Sequence, residues 1–158
     1  MFTTSSDEFF EYYAQSTFGE RKLDLAFIDG LHIFEFVLRD FINSEKYASD
    51  NAVIVIDDVF PNSYEQAFRN RQSKIWTGDV WKIIPILRKF RPDLTLSVLD
   101  THPSGLLIVS GLNARETRLT EHYNQIVRYS ASLKLAEYEQ EIIQRQHALN
   151  PPSFNIPH

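Results

Sequence analysis

Three aspartates and one histidine carry side chains whose types and spacing could do chemistry. Asp29 ends one short apolar run of the chain, and Asp57 and Asp58 end a second one. His32 follows Asp29 by three positions. Clustered carboxylates suit Mg²⁺ or another hard divalent cation, and an imidazole beside them can serve as a base or as a further ligand. This pattern predicts an acidic site where a cation and a substrate would meet.

Two neighbouring parallel strands are expected to bring these side chains together. The runs at residues 23–29 and 52–58 are almost continuously apolar before their acids, which is typical of strands buried on both faces of a parallel sheet. Residues 33–47 between them repeat apolar side chains at the helical period, so the three segments form a βαβ unit. The carboxyl ends of adjacent parallel strands, about 4.8 Å apart, share one edge of the sheet.

A simpler explanation exists for each of these residues taken alone. Aspartate at the end of a strand often caps the next helix or closes a turn, and Asp29 stands directly before a glycine. His32 by itself is typical of a helix start. The prediction of a site therefore depends on the three carboxylates meeting at one edge.

Helix-capping residues, glycine and proline predict where the helices that flank the sheet begin, end and bend. Ser5 and Glu8 have the spacing of a capping box, which predicts a helix that begins at the next residue and is closed by Gly19. After a polar loop, Asp79 is the expected N-cap of a second helix. Pro85 removes a backbone donor within that helix and predicts a kink there.

The last part of the chain predicts an antiparallel hairpin followed by a long helix. Residues 94–99 and 106–110 have the composition of strands, and the connection between them is too short for a parallel crossover. Residues 115–149 show a helical apolar stripe with a break near residues 130–132. The residues after Pro151 are expected to form a loose tail.

Composition excludes several classes of function. The chain has 158 residues, 43% of them apolar, and a formal net charge of −5, which indicates one ordinary globular domain without a basic nucleic-acid-binding surface. It has no cysteine, so thiolate metal sites and disulfides are excluded. No apolar run reaches the roughly 18 residues that cross a bilayer, and the amino terminus lacks the pattern of a signal peptide. We expect a cytoplasmic protein with no nucleic-acid or membrane partner.

Two motifs resemble those of class I S-adenosylmethionine-dependent methyltransferases. They are FIDGLH at residues 27–32 and VIDDVFP at residues 55–61, which are similar to the IDGxH and DD motifs of metal-dependent O-methyltransferases. The TGDVWK segment at residues 77–82 and the closing hairpin are also similar, and the resemblance spans roughly residues 3–112. It implies transfer of a methyl group from S-adenosylmethionine to a hydroxyl group of a small molecule, assisted by Mg²⁺.

The resemblance also implies roles for particular residues. Related enzymes contact the adenine ring of the cofactor in the segment that matches Ser5 and Ser6. His32 has no counterpart among the metal ligands of the family, and its assignment as the catalytic base rests on its position alone. The metal ligands that the resemblance implies are Asp29, Asp57 and Asp58.

The resemblance covers only the carboxyl-terminal half of such a fold. The five glycines are too far apart for the Gly-x-Gly turn that holds the methionine and ribose of the cofactor. We therefore expect a truncated Rossmann-like α/β fold of about four strands, two parallel and two in an antiparallel hairpin, with flanking helices and a long C-terminal helix. Such a chain is not expected to bind the cofactor in the usual way, whether it is a fragment of a longer protein or a shortened descendant.

The predicted organisation is a methyltransferase-like domain at residues 1–112, a helical extension at residues 113–150 and a tail at residues 151–158. An apolar strand from Leu23 to Asp29 would then lie at the edge of the sheet, where it invites pairing with another chain. We expect a homodimer through this strand or through the C-terminal helix. Two alternatives to a methyltransferase stay open: a non-catalytic dimeric α/β module, and a metal-dependent activity that uses the acids without the cofactor.

Overall fold

One four-stranded sheet organises the chain in the computed structural model, which describes residues 3–154. The strands are β1 (Leu23–Ile28), β2 (Ala48–Asp57), β3 (Thr95–Leu99) and β4 (Leu106–Ser110). Their order in the sheet is β1-β2-β4-β3; β1 and β2 are parallel, whereas β4 is antiparallel to both β2 and β3. The predicted Rossmann-like α/β fold, with two parallel strands and an antiparallel hairpin, is confirmed.

Short helices flank the sheet, and the first begins as the sequence predicts. The Ser5 side chain accepts a hydrogen bond from the backbone N–H of Glu8, and the Glu8 carboxylate accepts one from the backbone N–H of Ser5, which completes a capping box. Gly19 closes this helical stretch with a φ of 58°. None of the helices in residues 3–154 is long and apolar enough to span a bilayer. The α-helices are α1 (Ser6–Glu8), α2 (Ala14–Phe18), α3 (Phe34–Lys46), α4 (Ile83–Phe90), α5 (Arg118–Glu121), α6 (Tyr123–Ser132) and α7 (Glu139–Ile142); a π-helical turn (Phe9–Tyr13) joins the first two, and 3₁₀ turns occupy Val80–Lys82, Leu135–Tyr138 and Pro151–Ser153.

The main hydrophobic core lies between helix α3 and one face of the sheet. Apolar side chains recur along α3 at intervals of three and four residues, so they form one stripe that the sheet buries. Each such aliphatic or aromatic side chain contributes about 1.5–3 kcal/mol when it is fully buried. The buried residues of α3 are Phe34, Val37, Leu38, Phe41 and Ile42, and those of the sheet face include Ile28, Ile54, Ile56, Leu107 and Val109.

The opposite face of the sheet is covered only in part. Val53, Leu99 and Ile108 form a small buried cluster on that face. On the neighbouring strand β1, however, Leu25 is 63% exposed and Phe27 is 58% exposed. The sequence predicted burial on both faces, and this prediction is wrong for β1, because no element of the described chain packs over these two side chains.

The predicted long C-terminal helix is divided into shorter segments. Helix α6 ends at Ser132, inside the predicted break, and Leu133 and Lys134 are extended. The hydroxyl of Ser132 donates to the backbone carbonyl of Tyr129 and so competes with the helical bonds. The division lets successive segments fold back on the core, where their apolar residues Leu119, Ile126 and Ile142 are buried.

Asp79 and Pro85 also differ from expectation. Asp79 stands at the N-cap of the 3₁₀ turn before α4, but its carboxylate accepts a hydrogen bond from the backbone N–H of Phe34, the first residue of α3, at 2.8 Å. Asp79 therefore caps a helix 45 residues away in sequence. Pro85 lies in the first turn of α4, where no interior backbone hydrogen bond is lost, so the physical reason for a kink is absent.

A buried ion-pair network fixes the start of β3 to the helices. The guanidinium of Arg91 is fully buried and donates two hydrogen bonds to the Glu45 carboxylate, at 2.6 and 2.9 Å. It also donates to Asp93, and Glu45 accepts from the backbone N–H of Asn113. These acids are satisfied by protein donors, so they have a structural role.

Candidate functional site

The parallel pairing of β1 and β2 brings the acidic residues to one edge of the sheet. The last paired residues are Ile28 and Ile56, so Asp29 and the Asp57–Asp58 pair follow at neighbouring positions. One ligand atom from each of Asp29, His32 and Asp58 lies within 4.8 Å of the others. We call these three residues the acidic cluster.

His32 is oriented so that one ring nitrogen faces the carboxylates. Its Nδ1 lies 2.7 Å from the backbone carbonyl oxygen of Trp76, and because a carbonyl only accepts, Nδ1 carries the proton and donates. Its Nε2 lies 3.0 Å from an oxygen of Asp58 and 3.6 Å from an oxygen of Asp29. A backbone carbonyl that fixes one nitrogen while the other faces acidic groups is the arrangement of many metal-binding histidines.

Asp57 lies next to the acidic cluster, but its carboxylate binds the backbone and does not face His32. One of its carboxylate oxygens accepts a hydrogen bond from the backbone N–H of Asp58 at 2.8 Å. Burial raises the pKa of the Asp57 carboxyl, and the negative charges of Asp58 and Asp29 raise it further, while the hydrogen bond from Asp58 and the nearby His32 oppose these effects. The structure thus brings two of the three expected aspartates together with His32, and Asp57 supports the turn beside them.

The backbone of Asp58 has an unusual conformation. Its φ is 62°, in the left-handed region that residues other than glycine rarely occupy, although Asp and Asn tolerate it best. The hydrogen bond from its N–H to the Asp57 side chain supports this conformation. The result is that the Asp58 carboxylate faces His32 directly after β2 ends.

The loop between β2 and the turn at Val80–Lys82 closes over His32. The Trp76 ring stacks on the His32 ring, with centroids 5.5 Å apart and planes inclined by 28°. Gly78 has a φ of 57°, and a Cβ atom at this position would lie 1.7 Å from the backbone oxygen of His32. Residue 78 must therefore be glycine for the loop to approach this closely.

Asp79 anchors the same loop to helix α3. Besides the N–H of Phe34, its carboxylate accepts from Lys82 at 3.0 Å and from Arg69 at 3.2 Å. Arg69 also binds Glu35, on the first turn of α3, at 2.7 Å. Because α3 begins two residues after His32, these bonds fix the histidine and the loop relative to each other.

Two open grooves meet at the acidic cluster. The edge groove, of about 580 Å³, runs beside β1 and includes Ser5, Ser6 and Asp29. The loop pocket, of about 440 Å³, lies under the loop and includes His32 and Asp58. Gly30 and Leu31 line both. The other residues of the edge groove are Phe10, Leu23, Leu25, Ala26, Phe27, Ile28, Phe36, Asp40 and Ser44, and the other residues of the loop pocket are Arg71, Lys74, Ile75 and Trp76.

Sequence reasoning missed several residues around the site. Asp40 lines the edge groove, burial raises its pKa, and its Oδ1 is buried with no hydrogen-bond partner within residues 3–154. No sequence signal marks Asp40, since a single acid on a helix is ordinarily exposed. Trp76 and Gly78 carry a weak signal, because they fall within or beside the TGDVWK segment noted in the sequence.

One comparison with known proteins found a match that includes the acidic cluster. A family model described as a methyltransferase domain matches residues 1–59, which is just over a third of the chain. The match contains β1, α3, β2, the acidic cluster, Asp40 and Asp57, and it supports a methyltransferase domain in this part of the chain. No curated protein and no solved structure matches.

Proposed function

We propose that this chain forms the acceptor side of a methyltransferase that transfers a methyl group to a hydroxyl of a small molecule, with a divalent cation held by the acidic cluster. The observation that supports this most directly is the convergence of Asp29, His32 and Asp58 at the carboxyl ends of the parallel strands β1 and β2. This edge belongs to the segment that matches the methyltransferase family model.

The donor set of the cluster fits a divalent cation. Two carboxylates and one imidazole offer two oxygens and a nitrogen, and His32 has its other nitrogen fixed by the Trp76 carbonyl. Oxygen ligands suit Mg²⁺, and the imidazole also makes the set suitable for Mn²⁺. Such an ion, when bound, lowers the pKa of a coordinated hydroxyl group and orients it.

The nitrogen of His32 that faces the carboxylates has two chemical uses that exclude each other. Nε2 can bind the cation, or it can accept the proton of the acceptor hydroxyl while Asp58 stabilises the resulting imidazolium. We propose the first use when the cation is bound. The role of His32 as catalytic base is the alternative, and it requires that no cation binds at Nε2.

The two grooves suggest where the methyl donor, S-adenosylmethionine, and the methyl acceptor would lie. Ser5 and Ser6 share the edge groove with Asp29, which suits the adenine-side contact that the resemblance implies for S-adenosylmethionine. The loop pocket on the other side of the cluster would take the acceptor. The chain has no Gly-x-Gly turn for the methionine and ribose, so these residues alone do not fit the whole cofactor.

Binding of Mn²⁺, measured by electron paramagnetic resonance, tests the cation site. We expect the wild-type chain to bind Mn²⁺ and Asp58→Asn to bind it at least about 10-fold more weakly, because one ligand is lost while asparagine tolerates the same backbone conformation. Asp57→Asn is the matched control and should retain binding. Loss in both variants would favour the ligand set expected from sequence, loss in Asp57→Asn alone would contradict the proposed cluster, and equal binding by all three proteins would refute the site.

The exposed edge of the sheet favours one alternative, a non-catalytic dimeric module. β1 has a paired strand on one side only, and Leu25 and Phe27 are exposed on it. The apolar stripe of the C-terminal helices is used in the core, so we propose the strand as the dimer surface. Calorimetric titration with S-adenosylmethionine, with and without Mg²⁺, separates the two functions when it is combined with the Mn²⁺ measurement: binding of the cofactor or of the cation supports the enzyme, and absence of both supports the module.

A particular register would suit a second copy at this edge. In an antiparallel pair of β1 strands centred on Ala26, Leu25 of each copy lies opposite Phe27 of the other on the same face. Asp24 then lies opposite Ile28, so no two acids face each other directly. Light scattering of the purified chain measures whether it is a dimer.

A further inference from the structure

Two cationic side chains line the same pocket as the acidic cluster. Arg71 and Lys74 belong to the loop pocket together with His32 and Asp58. Neither cation forms an ion pair within the described part of the chain. The pocket therefore has negative groups on one wall and uncompensated positive groups on another.

The guanidinium of Arg71 is held in place by its own loop. Its Nε donates to the backbone carbonyl of Ser73 at 3.2 Å, and its Nη2 donates to that of Lys74 at 2.6 Å. Its Nη1 makes no hydrogen bond to the described residues, so it is left for a ligand. A guanidinium that is already oriented loses less conformational entropy when it binds an anion.

Apolar side chains complete the pocket. Leu31 and Ile75 are exposed to solvent there, and Trp76 lies against His32 beside them. Exposed apolar surface between charged walls suits the flat body of a small ligand with polar groups at both ends.

We infer that the loop pocket selects an acceptor that bears a carboxylate, with its hydroxyl group at the acidic cluster and its carboxylate on Arg71 and Lys74. The free Nη1 of Arg71 and the ammonium of Lys74 supply donors for the two oxygens of one carboxylate. The two cations also offset the repulsion that the aspartates exert on an anion. This inference rests on the proposed function, since it assumes that the acceptor enters from this side.

A pair of probes that differ by one carboxylate tests the inference. Catechol and 3,4-dihydroxybenzoate both chelate divalent cations, and their binding to the Mn²⁺-loaded chain is measured by calorimetry. We expect 3,4-dihydroxybenzoate to bind about 10-fold more tightly than catechol. Substitution of both cations, Arg71→Gln with Lys74→Gln, should remove this difference, while Mn²⁺ and catechol still bind.

The control removes the same charge from an exposed surface beside the amino ends of β1 and β2, by Lys22→Gln with Arg115→Gln, and should keep the preference for the carboxylate. If Mn²⁺ and both probes bind but the preference is missing, the inference is wrong and the proposed function stands. If Mn²⁺ does not bind but 3,4-dihydroxybenzoate binds and requires Arg71 and Lys74, the cation site is wrong and the carboxylate site stands. Absence of 3,4-dihydroxybenzoate binding with and without Mn²⁺ overturns the inference.

Discussion

At the scale of single residues, Asp57 and Asp58 differ because the chain turns between them. The turn directs the N–H of Asp58 to the Asp57 carboxylate, which leaves the Asp58 carboxylate to face His32. Asp57 is thus partly buried among other acids with one hydrogen bond to stabilise its charge, and its pKa is raised.

The raised pKa of Asp57 predicts the effect of removing its charge. A carboxyl whose pKa is higher in the folded than in the unfolded chain is destabilising once ionised, so stability falls as pH rises through this interval and remains lower above it. Asp57→Asn keeps an oxygen that can accept from the Asp58 N–H. We expect this variant to melt at a higher temperature than wild type at pH 7, and both to melt at similar temperatures at about pH 3.

The measurement is thermal unfolding followed by circular dichroism in the presence of a chelator, so that no bound cation contributes. Asp50→Asn replaces an exposed carboxylate of β2 outside the acidic cluster and serves as the control for a general charge effect. A lower melting temperature for Asp57→Asn at pH 7 would mean that the ionised carboxylate stabilises the turn, against our interpretation.

At the scale of elements, the loop over His32 depends on one close backbone contact. Gly78 lies against the His32 carbonyl, next to the bonds that Asp79 makes with helix α3. The orientation of the His32 ring by the Trp76 carbonyl depends on this packing, since Trp76 lies two residues before Gly78.

We therefore predict that Gly78→Ala detaches the loop. A Cβ atom would overlap backbone atoms that have no flexible side chain to move, and the backbone conformation also disfavours alanine. We expect a loss of roughly 2–4 kcal/mol in the free energy of unfolding, measured by urea denaturation. Mn²⁺ affinity should fall as well, because His32 loses its fixed orientation.

Gly19→Ala is the matched control for this prediction. Gly19 has nearly the same φ, 58°, but nothing lies within 4 Å of the position of its Cβ. Its ψ of −119° also favours glycine, so Gly19→Ala should lower the free energy of unfolding by the conformational cost alone, roughly 1–3 kcal/mol, less than Gly78→Ala, and leave Mn²⁺ binding intact. Equal losses in the free energy of unfolding of the two variants would show that the close contact with the His32 carbonyl does not contribute to the effect of Gly78→Ala.

At the scale of the whole molecule, the sheet has one edge strand with exposed apolar side chains. Such an edge ordinarily pairs with another chain, and the register centred on Ala26 places Leu25 opposite Phe27 of a second copy. We expect the wild-type chain to be a dimer in size-exclusion chromatography with light scattering.

A pair of introduced opposite charges tests the register itself. Leu25→Lys should give a monomer, because the dimer would remove a charged ammonium group from water and replace the apolar contact of Leu25. Adding Phe27→Glu should restore the dimer, because each lysine then faces a glutamate of the other copy. Both positions are exposed in the single chain, so folding should survive, as a circular dichroism spectrum would verify. A monomeric wild type would refute the dimer, and a double variant that stays monomeric would refute this register.

The sequence was sufficient for the features that depend on neighbouring residues. The capping box at Ser5, the helical stripe of α3 and the apolar runs of β1 and β2 each reflect local periodicity or a local hydrogen bond, and the structure has all of them. The same signals placed the aspartates at strand ends. Parallel pairing then followed from topology, because a helix between two strands returns the chain to the same edge.

Only the tertiary structure decided which of these side chains face one another. Asp57 is bound to a neighbouring N–H, whereas His32 joins the cluster because a carbonyl 44 residues away fixes its ring. Asp79 caps a distant helix, and the C-terminal helix divides because its apolar residues must reach the core. These outcomes depend on which of several long-range contacts obtains a limited number of hydrogen-bond donors, acceptors and buried positions. Contacts between residues far apart in the chain produce no periodic pattern in the sequence.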